Sequence, residues 1–107
     1  MAEPLTTEVF GPGFTQTATH FTIDKADLPG LTAAINNRGE QLLIGIVLRA
    51  MARLTPESFE DNLDQSVTIT EGLQGITYRS NDAYDQNVLS VNMHKLKQSG
   101  PIDPDDY

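Results

Sequence analysis

The residues with the most chemical potential are the two histidines, His20 and His94. Each falls on the polar side of a predicted strand, and they would approach each other if the first and last strands pair. Two neighbouring imidazoles can form part of a metal site or an acid–base pair. Because the sequence offers no third ligand at a suitable spacing, the favoured interpretation is two solvated surface histidines.

Carboxylates cluster at two places along the chain. One group recurs at helical spacing and would form an acidic helix face, and the other lies near the C-terminus: Glu57, Glu60, Asp61 and Asp64, and then Asp103, Asp105 and Asp106. Neither group has the glycine and the regularly spaced oxygen donors of an EF-hand loop. A solvated helix face and a solubilising tail are therefore favoured over cation sites.

The standard catalytic and nucleotide-binding motifs do not occur in the sequence. There is no Gly-rich loop ending in Gly-Lys-Ser/Thr, no G-x-G-x-x-G, no H-E-x-x-H and no G-x-S-x-G. Cysteine is also absent, which excludes disulfides, thiolate nucleophiles and Cys-based zinc sites. We therefore predict no catalytic residue, no metal ligand and no cofactor, and we expect the protein not to be an enzyme.

Two arginines stand out within the most apolar stretch of the chain. Arg49 and Arg53 lie one turn apart if this stretch is a helix. They could form an interface stripe that pairs with carboxylates of a neighbouring subunit. Alternatively, they form the solvent-facing edge of a core helix, with Arg53 reaching Glu57 of its own chain. Both arginines are candidate interface residues.

The N-terminal segment carries a second set of interface candidates. Val9, Phe10 and Phe14 bracket the sequence Gly11-Pro12-Gly13. The glycines allow a sharp bend, and the proline limits the entropy lost on docking. Each phenylalanine ring can bury about 150–250 Å². These rings either pack on the core of their own chain or reach a neighbouring molecule.

The net charge argues against two classes of partner, nucleic acids and anionic membranes. Seven basic and 15 acidic residues give a formal charge of −8. Such a chain would be repelled by nucleic-acid phosphates and by anionic membranes. The longest apolar run is far shorter than the ~20 residues of a membrane span, and the first residues have no signal-peptide pattern. We expect a soluble protein, cytoplasmic or, if phage-encoded, part of a virion.

The 107 residues fit one domain. We divide the chain into an irregular N-terminal arm (1–16), a globular domain (17–97) and an acidic tail rich in Pro, Gly and Asp (98–107). Alternation predicts four strands in the domain, and capping and breaker residues predict two short helices. The strands are 17–23, 67–70, 76–79 and 87–96, with turns at 71–75 and 80–82, and the helices are 27–35 and 56–64.

Residues 40–54 permit two interpretations. As a helix, this segment would be mostly buried, with a polar stripe of Gln41, Gly45, Arg49 and Arg53. As a strand, it would place Leu42, Ile44, Ile46 and later even-numbered residues on one face. The helix is favoured because 15 unbroken residues is long for a strand.

Together these elements predict an α+β fold, with an antiparallel sheet of about four strands and two or three helices on one face. The inward residues would include Val67, Ile69, Ile76, Tyr78 and Leu89. We expect a non-enzymatic structural subunit of a multi-copy assembly, such as a phage minor capsid, cement or tail protein. Its partners would then be copies of itself or neighbouring subunits. The alternatives are an acidic regulatory or adaptor domain that binds one protein, and an enzyme or ligand-binding protein without a linear signature.

Overall fold

The computed structural model describes residues 3–95 and 100–107 of the chain. The helices in this part are α1 (Thr6–Phe10), α2 (Gly39–Met51) and α3 (Pro56–Asp61). The strands are β1 (Thr15–Gln16), β2 (Phe21–Thr22), β3 (Val67–Glu71), β4 (Gly75–Arg79), β5 (Asp82–Gln86) and β6 (Leu89–Met93). All strand pairs are antiparallel, in the pairings β1–β2, β3–β6 and β4–β5. The α+β prediction is confirmed.

Strands β3 to β6 form one long two-stranded ribbon (residues 67–93). Its base, β3 with β6, ends at the pair Glu71↔Leu89. The ladder continues one step further, since Gly72 N–H donates to the Val88 carbonyl at 2.8 Å. Its tip, β4 with β5, then begins at Gly75↔Gln86. Between these points two residues lie opposite one, which is the definition of a β-bulge.

The ribbon differs from the predicted hairpin of residues 67–70 and 76–79 joined at 71–75. Those two segments are successive parts of the same side of the ribbon. Of the residues expected to form a turn, Glu71, Gly72 and Gly75 are paired across the ribbon, and only Leu73 and Gln74 lie in the bulge. The chain reverses instead at Ser80 and Asn81, whose φ angles of 52° and 68° match a type I′ turn. Strand β5 was not predicted. The strands thus form three two-stranded ladders rather than one sheet of four.

The core lies where α2 and α3 pack against β3. Only three apolar side chains in the described part of the chain are buried: Leu28, Ala50 and Ile69. Polar residues complete the contact between α3 and β3. The buried Gln65 amide donates to the Val67 carbonyl at 2.9 Å, and its oxygen accepts from the Ser58 hydroxyl at 2.8 Å. The small core is therefore held by hydrogen bonds as well as by apolar contact.

The two longer helices begin as the sequence predicts. Residues 40–54 are helical through Met51, which confirms the favoured interpretation. At its start the Gln41 side chain accepts the Arg38 N–H at 2.8 Å. Thr55 caps α3, because its hydroxyl accepts the Ser58 N–H at 3.1 Å and Pro56 occupies the first helical position. Helix α3 ends at Asp61, three residues earlier than predicted.

The first 16 residues are more regular than expected. Residues Thr6–Phe10 form a helical turn that packs on α2, and the Glu8 carboxylate accepts the Leu5 N–H at 2.9 Å. The predicted strand 17–23 forms only in part, since only Phe21 and Thr22 of this segment are in a strand. The Thr17 hydroxyl accepts the His20 N–H at 3.1 Å, and Thr17 N–H donates to the His20 carbonyl. These bonds fold residues 17–20 into a turn between β1 and β2.

The predicted helix 27–35 does not form. A 3-10 turn covers Lys25–Asp27, and no helix follows it before Gly39. The Asp27 carboxylate accepts the Gly13 N–H at 2.9 Å, so it holds the N-terminal segment rather than capping a helix. Gly30 has a φ of 75°, which directs the chain out of helical geometry. Leu28 is instead buried beside Gly45 of α2.

The chain is extended for its length. Its radius of gyration is 16.2 Å, whereas a compact domain of this size has about 13 Å. Its accessible surface is 8309 Å², whereas a globular monomer of 11.7 kDa exposes about 5,900 Å². Among the described residues, no helix has the length and apolar character needed to cross a bilayer.

Candidate interaction surface

The N-terminal interface candidates join an aromatic cluster (Phe10, Phe14 and Phe21). The Phe10 and Phe14 rings stack with centroids 5.2 Å apart, and Phe21 lies 6.0 Å from Phe14 and 6.5 Å from Phe10. The first two rings are half-buried, whereas the side chain of Phe21 is 65 % exposed. Of the two alternatives for Phe10 and Phe14, the structure thus contains packing within their own chain. The cluster still presents one open aromatic ring.

A cleft of about 580 Å³ lies beside α1. Its walls include Val9, Phe10, Leu54 and Val67, and Tyr107 contributes from the C-terminal segment. Neither histidine lines this cleft. It is mainly an apolar depression between the N-terminal helix, the base of the ribbon and the end of the chain.

The two arginines have different surroundings. Arg53 lies beyond the end of α2, and its guanidinium contacts the Glu8 carboxylate at 3.1 Å, rather than reaching Glu57. Both side chains remain partly exposed, so this ion pair adds little stability. Arg49 lies in α2, and its Nε is buried without a hydrogen-bond partner in the described part of the chain. The same part has no carboxylate within 4.0 Å of the Arg49 guanidinium.

The two histidines do not come together. His20 lies at the β1–β2 turn, where its Nδ1 is 2.7 Å from the Thr19 hydroxyl. His94 follows β6, and its ring contacts that of Phe59 in a tilted arrangement, with centroids 4.5 Å apart. The condition for their approach, pairing of the first and last strands, is not met, because β1 pairs with β2 while β6 pairs with β3. Across residues 3–95 and 100–107, no three His, Asp or Glu side chains converge as metal ligands would.

A second cleft brings together residue types that occur in hydrolases. Ser66, His94 and Asp106 all line it. A catalytic triad requires hydrogen bonds from serine to histidine and from histidine to the acid. Here the His94 ring is 3.4 Å from the Thr68 hydroxyl, and Asp106 contacts the Lys95 ammonium at 3.2 Å. The geometry therefore does not link the three residues into a triad.

The C-terminal segment returns to the body of the protein. The pair of Lys95 and Asp106 is more buried than the other ion pairs, and a 3-10 turn covers Pro104–Asp106. Asp103 caps that turn by accepting the Asp105 N–H at 3.0 Å. The carboxylates of Asp103 and Asp106 thus act in local structure. Residues 98 and 99 of the predicted tail lie outside the described residues.

Helix α2 exposes apolar residues that were expected to be buried. Leu43 and Ile44 are both more than half exposed. Gly45, which was placed on the polar stripe, is buried instead, because Leu28 packs where a side chain would stand. The helix therefore turns its small residues inward and part of its apolar face outward.

The tip of the ribbon is exposed along its whole length. Ile76 is 61 % and Tyr78 is 76 % exposed, so the prediction that they face the core is wrong. The alternation of β4 was correct, but after the bulge the ribbon extends away from the helices, and every residue of β4 and β5 is exposed. On the opposite face, the Arg79 guanidinium lies 4.8 Å from the Tyr84 ring centroid.

Sequence reasoning therefore missed several large apolar residues that are exposed on secondary-structure elements: Phe21, Leu43, Ile44, Ile76 and Tyr78. One signal was available. Residues 80–82 were predicted as a turn, and Asn81 is a residue type that tolerates the positive φ of a type I′ hairpin turn. Comparison of the chain with protein-family models, with curated protein sequences and with solved structures gave no match.

Proposed function

We propose that this protein is a non-enzymatic structural subunit of a multi-copy assembly, in which its partners are other copies of the same chain. The observation that carries the proposal is the unpaired surface. The chain exposes about 2,400 Å² more than a globular monomer of its mass. Large apolar side chains are prominent in that surface, and exposed apolar patches are typical of protein contacts.

The size of the excess favours more than one interface per subunit. A standard protein–protein interface buries about 800 Å² on each partner. The excess surface is about three times that area, and the exposed apolar residues lie on separate elements, among them the aromatic cluster, α2 and the ribbon tip. Several different interfaces per subunit generate rings, shells or filaments. A phage particle component is one assembly of this class.

A small adaptor domain that binds one protein partner is the alternative. It would need one docking surface, whereas the exposed apolar residues are spread over at least three elements. An enzymatic role has less support, because the histidines are apart and the cleft that contains His94 lacks a linked triad.

The proposal is tested by the solution mass of the full chain. Light scattering coupled to size-exclusion chromatography, over a hundredfold range of concentration, should give a mass that is a multiple of 11.7 kDa. Exchange of Phe21 or Ile44 for serine should lower that mass. Exchange of the exposed but polar Thr7 for serine is the matched control and should leave it unchanged. A chain that remains monomeric at millimolar concentration contradicts the proposal.

A further inference from the structure

We propose that two copies of the chain join through the outer edge of strand β4, so that their ribbon tips form one four-stranded antiparallel sheet. This inference rests on the proposed function and names the contact between copies. The strand edge is free among the described residues, since β4 pairs there only with β5. An exposed edge of this kind is a template for pairing with another strand.

The turn fixes which backbone groups point outward. In a two-residue hairpin, the pair next to the turn, here Arg79↔Asp82, is hydrogen-bonded. Hydrogen-bonded and non-hydrogen-bonded pairs then alternate along the ladder. The backbone groups of Arg79, Thr77 and Gly75 therefore point towards β5. Those of Ile76 and Tyr78 point outward, and they supply two donors and two acceptors on the free edge.

The outward-pointing backbone groups of β4 can form hydrogen bonds with the same groups of a second copy. With Thr77 on a two-fold axis, Ile76 of each copy faces Tyr78 of the other copy, and all five residues of β4 overlap. Both facing pairs are hydrogen-bonded pairs, as the direction of the backbone groups requires. Cross-strand contacts between an aromatic and a β-branched side chain are favourable, as are Thr–Thr contacts. The strand is thus self-complementary in hydrogen bonding and in side chains.

Charge selects the β4 edge over the β5 edge. The chain carries a net charge of −8, so copies repel each other unless the contact avoids acidic residues. Strand β4 contains no acid, and its single charge, on Arg79, would face Gly75 of the second copy. Strand β5 contains Asp82 and Asp85. Pairing of β5 with itself about Tyr84 would place the two Asp85 side chains diagonally opposite each other.

The stability of the tip also favours this contact. An isolated two-stranded hairpin is at best marginally stable in water, and three or more strands with an apolar face are needed. The tip has two strands, and its apolar face is open. Pairing at β4 produces four strands, with the Ile76 and Tyr78 side chains of both copies gathered on one face.

A single cysteine tests the register, because the chain has no cysteine of its own. In the proposed dimer the two Thr77 residues form a non-hydrogen-bonded pair with Cα atoms about 4.5 Å apart. This distance lies within the range of about 4.4–6.8 Å that a disulfide spans. Thr77→Cys should therefore give a covalent dimer on mild oxidation, detected on a non-reducing gel. Ala83→Cys is the control: its thiols would lie on the outer strands, three strand spacings or about 14 Å apart.

The outcomes separate this inference from the proposed function. Absence of a Thr77→Cys dimer, or equal cross-linking of Ala83→Cys, in a protein that light scattering finds assembled overturns the β4 contact and leaves the function standing. A monomeric wild-type chain overturns both.

If Thr77→Cys does not fold, as judged by circular dichroism, a second variant tests the β4 contact. Ile76→Lys should weaken assembly by about tenfold or more. Leu73→Lys, at a bulge residue that is 92 % exposed, should change assembly less than about twofold. Equal effects of the two lysines contradict the inference.

Discussion

Two isoleucines on the same side of the ribbon should differ strongly in what they contribute to stability. Ile69 lies in the base and is 6 % exposed, whereas Ile76 lies in the tip and is 61 % exposed. Exchange of either for alanine removes three carbon atoms. Full burial of that much hydrocarbon stabilises by about 2.4 kcal/mol, at about 0.8 kcal/mol for each group.

The buried fraction of each isoleucine determines how much of this transfer free energy is lost on exchange for alanine. For Ile69→Ala, the lost transfer free energy is about 2.3 kcal/mol, and the cavity left behind brings the total to about 2–5 kcal/mol. For Ile76→Ala, about 39 % of the transfer term applies, which gives about 0.9 kcal/mol, and water fills the space. Within one copy of the chain, the base should therefore be at least twice as sensitive as the tip.

Urea unfolding followed by far-ultraviolet circular dichroism provides the assay. It should be done at a protein concentration low enough for light scattering to find monomers, so that contacts between copies do not contribute. The free energy of unfolding follows from linear extrapolation. An equal loss in the two variants would refute the reasoning, because it would mean that the tip packs on the body of its own chain.

Three further substitutions test individual features. Thr55→Ala should lower the free energy of unfolding by about 1 kcal/mol in thermal melts, because the Ser58 N–H loses its cap, and an unchanged melting temperature would count against the cap. Ser80→Val should destabilise the tip by about 1–2 kcal/mol because of the φ of 52°, whereas Ser80→Asn should not, and amide exchange in β4 and β5 compares them. Gly72→Ala should cost about 1–3 kcal/mol, since its Cβ would lie 2.7 Å from Val88 Cγ1. Val88→Ala in the same chain should recover most of that loss, and failure to do so would contradict the proposed overlap.

Local signals in the sequence predicted the elements that local interactions stabilise. The sequence Thr55-Pro56-Glu57 contains all the requirements of a helix start, and α3 begins there. Alternation placed β3, β4 and most of β6 correctly. It could not show which strands pair. Glu71–Gly75 has the composition of a turn, but turn residues and a bulge both use glycine, and the choice depends on the partner strand.

The missed features depend on contacts between distant residues. The sequence predicted that Asp27 caps a helix. Its carboxylate instead accepts a hydrogen bond from the N–H of Gly13, which lies 14 positions earlier in the chain. Strand β5 is polar and has a weak preference for strand structure, and it is extended because it pairs with β4. The burial of Ile76 and Tyr78 could not follow from alternation alone, because alternation identifies a face of the strand without showing whether another element covers it.

The nested pairing of the ribbon has a consequence for the order in which the chain folds. Closing the base at Glu71↔Leu89 on an open chain would restrict a loop of about 17 residues. If the tip is already paired at Gly75↔Gln86, the effective loop is only about five residues long, which lowers the entropic cost of closure by about 1.1 kcal/mol. The I′ turn at Ser80 and Asn81 is therefore a natural starting point for the ribbon, which would close from its turn towards the helices. Substitutions in this turn should then slow folding more than they accelerate unfolding.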